Sequence, residues 1–173
     1  MNESVMKDLI KDAKKGDAAA FGRLYAELSH ELYRFALYYL RRDQDAEDAV
    51  QDAALAAYKN IRNLQKPESF RSWFFKILSN ECKKYLIRRA AHPEDPTDEF
   101  PTLADASGND HALRFELAEL MNALPDDDRQ IVLLSVLEGY SSKEIAAITG
   151  MKANTVRSRL SRSLHKLREE LEN

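Results

Sequence analysis

The chain has 173 residues, with 26 Lys and Arg against 29 Asp and Glu, a net charge of −3 and 44% hydrophobic residues, enough for one large or two small packed domains. Five Gly, five Pro and few clusters of β-branched residues point to an all-α chain, and a single cysteine, Cys82, excludes an intramolecular disulfide and fits a reducing cytosol, with Cys82 read as structural. The N-terminal stretch is polar and charged and no apolar run approaches ~20 residues, so neither a signal peptide nor a membrane span is expected.

Residues 5–90 read as about four helices. Val5–Lys15 is broken by Gly16-Asp17, and Ala18–Arg42 follows with Phe21, Leu24, Tyr25, Leu28, Leu32, Phe35, Ala36 and Tyr39 in helical period. The third, Asp45–Ile61, has a stripe of small apolar residues at Ala46, Ala49, Val50, Ala53, Ala57 and Ile61. Its opposite face carries Asp45, Asp48, Gln51 and Asp52, with Leu55 among them. An apolar residue inside an acidic patch suits an interface with a cationic protein partner, and a plain solvated face reads equally well from this helix alone.

The fourth helix, Phe70–Arg89, puts Phe70, Trp73, Phe74 and Ile77 on one stripe, which is core by default. Its polar side carries Ser72, Lys76, Ser79, Asn80 and Lys83, with Lys84, Arg88 and Arg89 nearby, and the Asn63–Ser69 loop before it offers amides and a lysine. Cations for phosphates and amides for base edges fit single-stranded nucleic acid, with a solvated face as the alternative.

Residues 91–112 change character. They hold three of the five prolines and six acids (Glu94, Asp95, Asp98, Glu99, Asp105, Asp110) without a Lys or Arg, the composition of a flexible acidic linker. Helical periodicity resumes at Ala112, so that residues 113–173 form a second small domain, broken at Pro125 and at Gly139-Tyr140.

Ser141-Ser142-Lys143-Glu144 has the form of a capping box, in which hydroxyl and carboxylate satisfy free N–H groups reciprocally. The short helix Lys143–Ile148 follows. Ala146, Gly150 and Val156 then supply the small contact residue, the left-handed turn and the apolar anchor of a helix-turn-helix. From Lys152 to Arg168 there are six basic residues and no acid, and Val156, Leu160, Leu164, Leu167 and Leu171 form the buried stripe. The other face carries Asn154, Ser158, Ser161, Arg162 and His165, suited to a major groove, with Arg157, Arg159 and Lys166 on flanks suited to phosphates.

Chemistry on a small molecule finds no support. His30, His92, His111 and His165 are scattered without metal-ligand spacing, and there is no Gly-rich phosphate loop or nucleophile elbow. No enzyme activity, metal, cofactor or small-molecule substrate is expected.

In this order, DAEDAVQDAALAAYKNI (45–61), FRSWFFKILSNECKKYLIRR (70–89), LPDDDRQIVLLSVLEGYSSKEIAAITG (124–150) and NTVRSRLSRSLHKLREEL (154–171) resemble the extracytoplasmic-function (ECF) sigma factors, the two-domain members of the bacterial sigma-70 family. The resemblance covers nearly the whole chain apart from the linker. It implies a sigma-2 domain over 1–90, a linker over 91–112 that threads toward the polymerase active site and RNA exit path, and a sigma-4 domain over 113–173. Asp45, Glu47, Asp48, Gln51, Asp52 and Leu55 would dock on the clamp helices of the polymerase β′ subunit. Lys76, Ser79, Asn80, Lys83, Lys84 and Arg88, with the 63–69 loop, would capture the melted −10 element. Lys152, Asn154, Thr155, Arg157, Ser158, Arg159, Ser161, Arg162 and Lys166 would read the −35 duplex. The resemblance further implies a cytoplasmic bacterial protein held by an anti-sigma factor, often membrane-anchored.

Two positions depart from the family pattern. Lys84 stands where an Asp often follows the Asn of the fourth helix, and Asn154 stands where Gly often precedes the Thr-Val of the recognition helix. Both bear on which promoter sequence is read. A stand-alone helix-turn-helix regulator would explain the C-terminal domain only, and a helical adaptor without nucleic acid would need the basic helix to face a protein. The net charge of −3 disfavours tight free binding to duplex, where affinity comes from neutralised phosphates and released counterions.

Overall fold

A computed structural model describes residues 1–93 and 109–173, with side chains placed for 1–93 and 115–173. The described residues are helical with no strand, as the composition predicts. The chain divides into two compact units, Met1–Thr97 and Asp98–Asn173.

The first unit is built from α1 (Glu3–Lys14), α2 (Ala18–Leu40), α3 (Asp43–Asn60) and α4 (Phe70–Ala91), with 3₁₀ turns Ile61–Asn63 and Pro67–Ser69 before α4. Asn2 caps α1 and Asp17 caps α2, each side-chain oxygen accepting a backbone N–H of the first turn. Gly16, at φ 99°, makes the left-handed turn between them. The α2 helix ends two residues earlier than its periodicity predicts. Arg41 adopts a left-handed conformation, φ 63°, and its N–H reaches the Leu37 carbonyl, so α3 starts at Asp43.

Helix α2 packs on each of the other three helices, and α3 packs on α4. The stripe Ala46, Ala49, Ala53 and Ala57 is wholly buried; with only methyl groups there, α3 can approach its neighbours closely. Phe35, Phe74, Phe75, Leu78 and Cys82 fill the centre, with Phe35 and Phe75 edge to face at 5.6 Å.

The second unit contains α5 (Asn109–Asn122), α6 (Asp126–Val132) continuing into a π-helical turn (Leu133–Leu137), α7 (Ser142–Thr149) and α8 (Ala153–Glu172). The α5 helix starts inside the stretch expected to be linker; residues 94–108 of that linker lie outside the described residues. Pro125 opens α6 and the acids Asp126, Asp127 and Asp128 fill its first turn, where they complement the helix dipole. Ile131, Leu134, Ile145, Ile148 and Val156 form the core. Arg129 is also in it, 1% exposed and the largest wholly buried side chain described.

The capping box at Ser141 and Glu144 is present in both directions, with bonds of 2.7 and 3.2 Å. Gly150 adopts φ 77°, and its N–H bonds the Ala146 carbonyl at 2.9 Å. These are the two features the sequence assigns to a helix-turn-helix.

Candidate nucleic-acid and polymerase interfaces

The turn between α7 and α8 is held by Thr149, whose hydroxyl donates to the Ile145 carbonyl (2.8 Å) and accepts from the Met151 N–H (3.3 Å). Val156 and Leu167 anchor α8, and Leu160 is half-buried. The lower part of the expected stripe is different. Ser163 is buried while Leu164 and Leu171 are exposed, so the buried stripe runs Val156, Leu160, Ser163, Leu167 and not through Leu164.

Outward stand Lys152, Asn154, Thr155, Arg157, Ser158, Ser161, Arg162, His165 and Lys166, all exposed. Arg157 donates to the Asn154 side-chain oxygen at 2.7 Å and the Ser158 hydroxyl to the Asn154 carbonyl at 3.0 Å. Arg159 departs from its expected role at the DNA flank. It is half-buried and its guanidinium lies 3.0 Å from Asp128 and 3.9 Å from Asp127, which binds α8 to the acidic first turn of α6. Lys166 donates to the Ala123 carbonyl at 3.1 Å and remains exposed.

On α4, Lys76, Asn80, Lys84 and Arg88 are exposed and Lys83 is half-buried. Ser79 is a correction. It is 1% exposed, on a buried face running Phe74, Phe75, Leu78, Ser79, Cys82, so it is not a nucleic-acid contact in this conformation. Because α4 packs against both α2 and α3, its apolar face is too wide for a single stripe to describe. Trp73 and Ile77, expected in the core, are half-buried at its edge. Lys84 pairs with Glu81 at 3.0 Å. The loop before α4 is pinned to the end of α1: Lys14 donates to the Leu64 carbonyl and Arg62 to the Lys14 carbonyl (3.1 Å). Asn63, Gln65 and Lys66 are left exposed on it.

Five of the six residues singled out on α3 fall into two stripes. Glu47, Gln51 and Leu55, spaced by four, are exposed, Leu55 by 58%, with Tyr58 continuing the ridge. Asp45 and Asp52 instead meet α4. Asp45 accepts from Arg89 at 2.8 Å and Asp52 from the Tyr85 hydroxyl at 2.7 Å. Asp48 lies between the stripes and accepts from Gln44 at 3.0 Å. Sequence reading missed Tyr85 and counted Arg89 among the cations for phosphates, because a helical wheel names a face and not the helix it meets.

Burial and its bond to Asp52 push the Tyr85 phenol up to about 12, and burial with Asp43 raises Tyr33 to about 12. Burial also pushes the Cys82 thiol far up, which disfavours the reactive thiolate. The tyrosines fix an alkaline signature. Unfolded, both phenols release protons near pH ~10. Folded, they hold them to about 12. The stability they confer is present below the unfolded value and is lost as pH rises between the two. Urea midpoints measured from pH 8 upward should fall across that interval, and Tyr33→Phe with Tyr85→Phe should flatten the slope; an unchanged slope would contradict these environments.

Among the described residues no group of His, Cys, Asp or Glu could hold a metal ion, and no helix is long and apolar enough to cross a membrane. Residues 24–92 match the family described as Sigma-70 region 2, and residues 114–167 match Sigma-70, region 4. The chain is 32% identical to the ECF RNA polymerase sigma factor SigM of Mycobacterium tuberculosis, over 88% of this chain and 77% of that protein. It belongs to the ECF sigma factors of the sigma-70 family. This sigma factor is also 33% identical to the RNA polymerase sigma factor SigV of Bacillus subtilis, over 82% and 84% of the two chains. Among solved structures it is similar to CnrH in complex with the cytosolic domain of CnrY (TM-score 0.73, 27% identity, 97% of each chain covered). It is likewise similar to the sigma factor RpoE in complex with the anti-sigma factor NepR from Bartonella quintana (TM-score 0.72, 26% identity, 88% of this chain and 96% of that one). As a member of this family the chain is an alternative sigma factor that directs promoter-specific initiation of transcription.

Proposed function

We propose that residues 1–90 dock on the β′ clamp helices of core RNA polymerase and capture the melted −10 strand, while residues 113–173 read the −35 duplex. The exposed ridge of Glu47, Gln51, Leu55 and Tyr58 carries the docking role: an exposed apolar side chain on a helix whose outer side is mainly acidic fits a basic helical surface with an apolar groove. Lys76, Asn80, Lys83 and Arg88, with the pinned 63–69 loop, take the single strand. The outer face of α8, acid-free as far as Arg168, enters the major groove, with Arg162 best suited to guanine edges and Lys152, Arg157 and Lys166 to phosphates.

The chain has no catalysis of its own in this reading; polymerase makes the bonds. Two modest DNA contacts become strong when core enzyme holds both units at fixed spacing, by effective concentration. Flipped bases captured by the first unit offset a few kcal/mol of unstacking. The protein works in the bacterial cytoplasm, where polymerase and promoter are, and an anti-sigma factor covers the docking and promoter-reading faces. The complexes of the structural relatives CnrH and RpoE support such a partner. The acidic stretch between α4 and α5 suits a channel that holds RNA.

Leu55→Asp tests the docking surface. It leaves the core of the first unit intact, since Leu55 is exposed. Affinity for core polymerase, read by competition with a labelled sigma factor, should fall by about tenfold, ~1.4 kcal/mol. Unchanged affinity would place the docking face elsewhere.

A further inference from the structure

The antiparallel seam between α3 and α4 joins the proposed docking helix to the proposed DNA helix through side chains. Asp52 on α3 accepts from the Tyr85 hydroxyl at 2.7 Å. The Tyr85 ring in turn carries the Arg88 guanidinium, 4.4 Å from its centroid. One turn further along, Asp45 holds Arg89 at 2.8 Å. Arg88 is exposed whereas Arg89, its neighbour, is largely buried by its partner. The two arginines therefore do different work: Arg89 closes the seam and Arg88 is displayed from it.

We propose that Tyr85 is a positioning residue for promoter capture: anchored by Asp52, its ring is a platform that holds Arg88 extended toward the −10 strand. This rests on the reading of α4 as the strand-capturing helix and adds to it a residue and a geometry. An arginine on a four-atom stem is otherwise free to sample many rotamers in water, and ordering it on binding costs free energy. A cation held over an aromatic face, with one N–H engaged by the phenol oxygen, is already ordered while its remaining N–H groups are left for a ligand, so capture of a phosphate or base begins from a prepared geometry. Asp52 then serves the DNA side of the molecule through Tyr85, in addition to any part in docking.

The test uses full-length protein assembled with core polymerase and a fork-junction DNA bearing a single-stranded −10 segment. Tyr85→Leu should weaken fork binding about three- to fivefold, the range of a cation–π pair at an exposed site. Arg88→Ala should weaken it at least as much. The double variant should be no weaker than Arg88→Ala alone, because the platform acts only through the arginine. Tyr85→Phe, which keeps the ring and removes the hydroxyl that bonds Asp52 and Arg88, should recover most of the affinity. Tyr85→Leu and Arg88→Ala should both flatten the dependence of log K on log salt, by up to about 0.7 for each phosphate of the single strand that is no longer neutralised. A purely structural role for Tyr85 would leave that slope unchanged. Additive effects, or normal fork binding by Tyr85→Leu beside impaired Arg88→Ala, would overturn the positioning role and leave the reading of α4 standing. Normal fork binding by Arg88→Ala and by Lys76→Ala with Asn80→Ala would overturn the reading of α4 itself.

Discussion

Arg129→Ala should unfold the C-terminal unit at temperatures where the N-terminal unit remains folded. Arg129 is 1% exposed, and it donates to the Leu124 carbonyl at 3.1 Å and to Asp126 at 2.6 Å. It thus ties the end of the chain entering α6 to the first turn of that helix. Truncation leaves a cavity the size of a guanidinium and its stem, and a carbonyl with its bond removed. Large-to-small changes at such sites cost about 2–5 kcal/mol, and a buried acceptor left unpaired costs about 1–3 kcal/mol. Even the low end of that sum, about 3 kcal/mol, is a large part of the ~0.05–0.15 kcal/mol per residue that holds a domain of this size. Hydrogen exchange followed peptide by peptide on the full chain should show protection lost in α6, α7 and α8 and kept in α2, α3 and α4. Arg129→Lys should recover only part of it, since one ammonium cannot replace the two directed bonds. Protection kept throughout the C-terminal unit would show that Arg129 is not its keystone.

Arg162→Glu should abolish promoter-directed transcription while leaving assembly with core polymerase unchanged. Arg162 is exposed on the outer face of α8. A base-edge contact from arginine is worth about 1–3 kcal/mol, and a carboxylate in its place adds repulsion against the phosphates. Run-off product from a responsive promoter should drop about 10- to 100-fold. Arg159→Ala makes the contrast. Its guanidinium is engaged with Asp128 and Asp127, so its loss should lower the stability of the second unit and weaken DNA reading less than Arg162→Glu does. Full transcription by the Arg162→Glu holoenzyme would mean that α8 faces something other than DNA.

The helices, the Ser141–Glu144 cap and the helix-turn-helix were legible in the residues because each is a local signal. The capping box and Gly150 act within four residues of where they stand in sequence. What local pattern could not supply was the partner. Ser79 belongs to the polar side on a wheel, yet α4 is enclosed by two helices and Ser79 is buried. Asp45 and Asp52 belong to the acidic face of α3, yet Arg89 and Tyr85, more than thirty residues away, take them. Arg159 belongs to a basic flank, yet Asp128 takes it. Arg129 carries no signal at all, since a buried arginine looks in sequence like a solvated one. The left-handed end of α2 at Arg41 lacks the Gly or Asn that usually announces it. Of the candidate site, the outer face of α8 and the exposed pair Gln51 and Leu55 stand where periodicity puts them, because exposed faces depend least on which helix lies beneath; Glu47 is named by the family resemblance alone.

The most direct test of the central claim is run-off transcription from a genomic promoter pool with core RNA polymerase, in the presence and absence of this sigma factor. Discrete new start sites that appear only when the chain is added, with a shared −35 and −10 pair upstream, are the predicted result. No new start site from a core enzyme shown to be active with another sigma factor, together with tight binding of the free chain to duplex DNA, would contradict it.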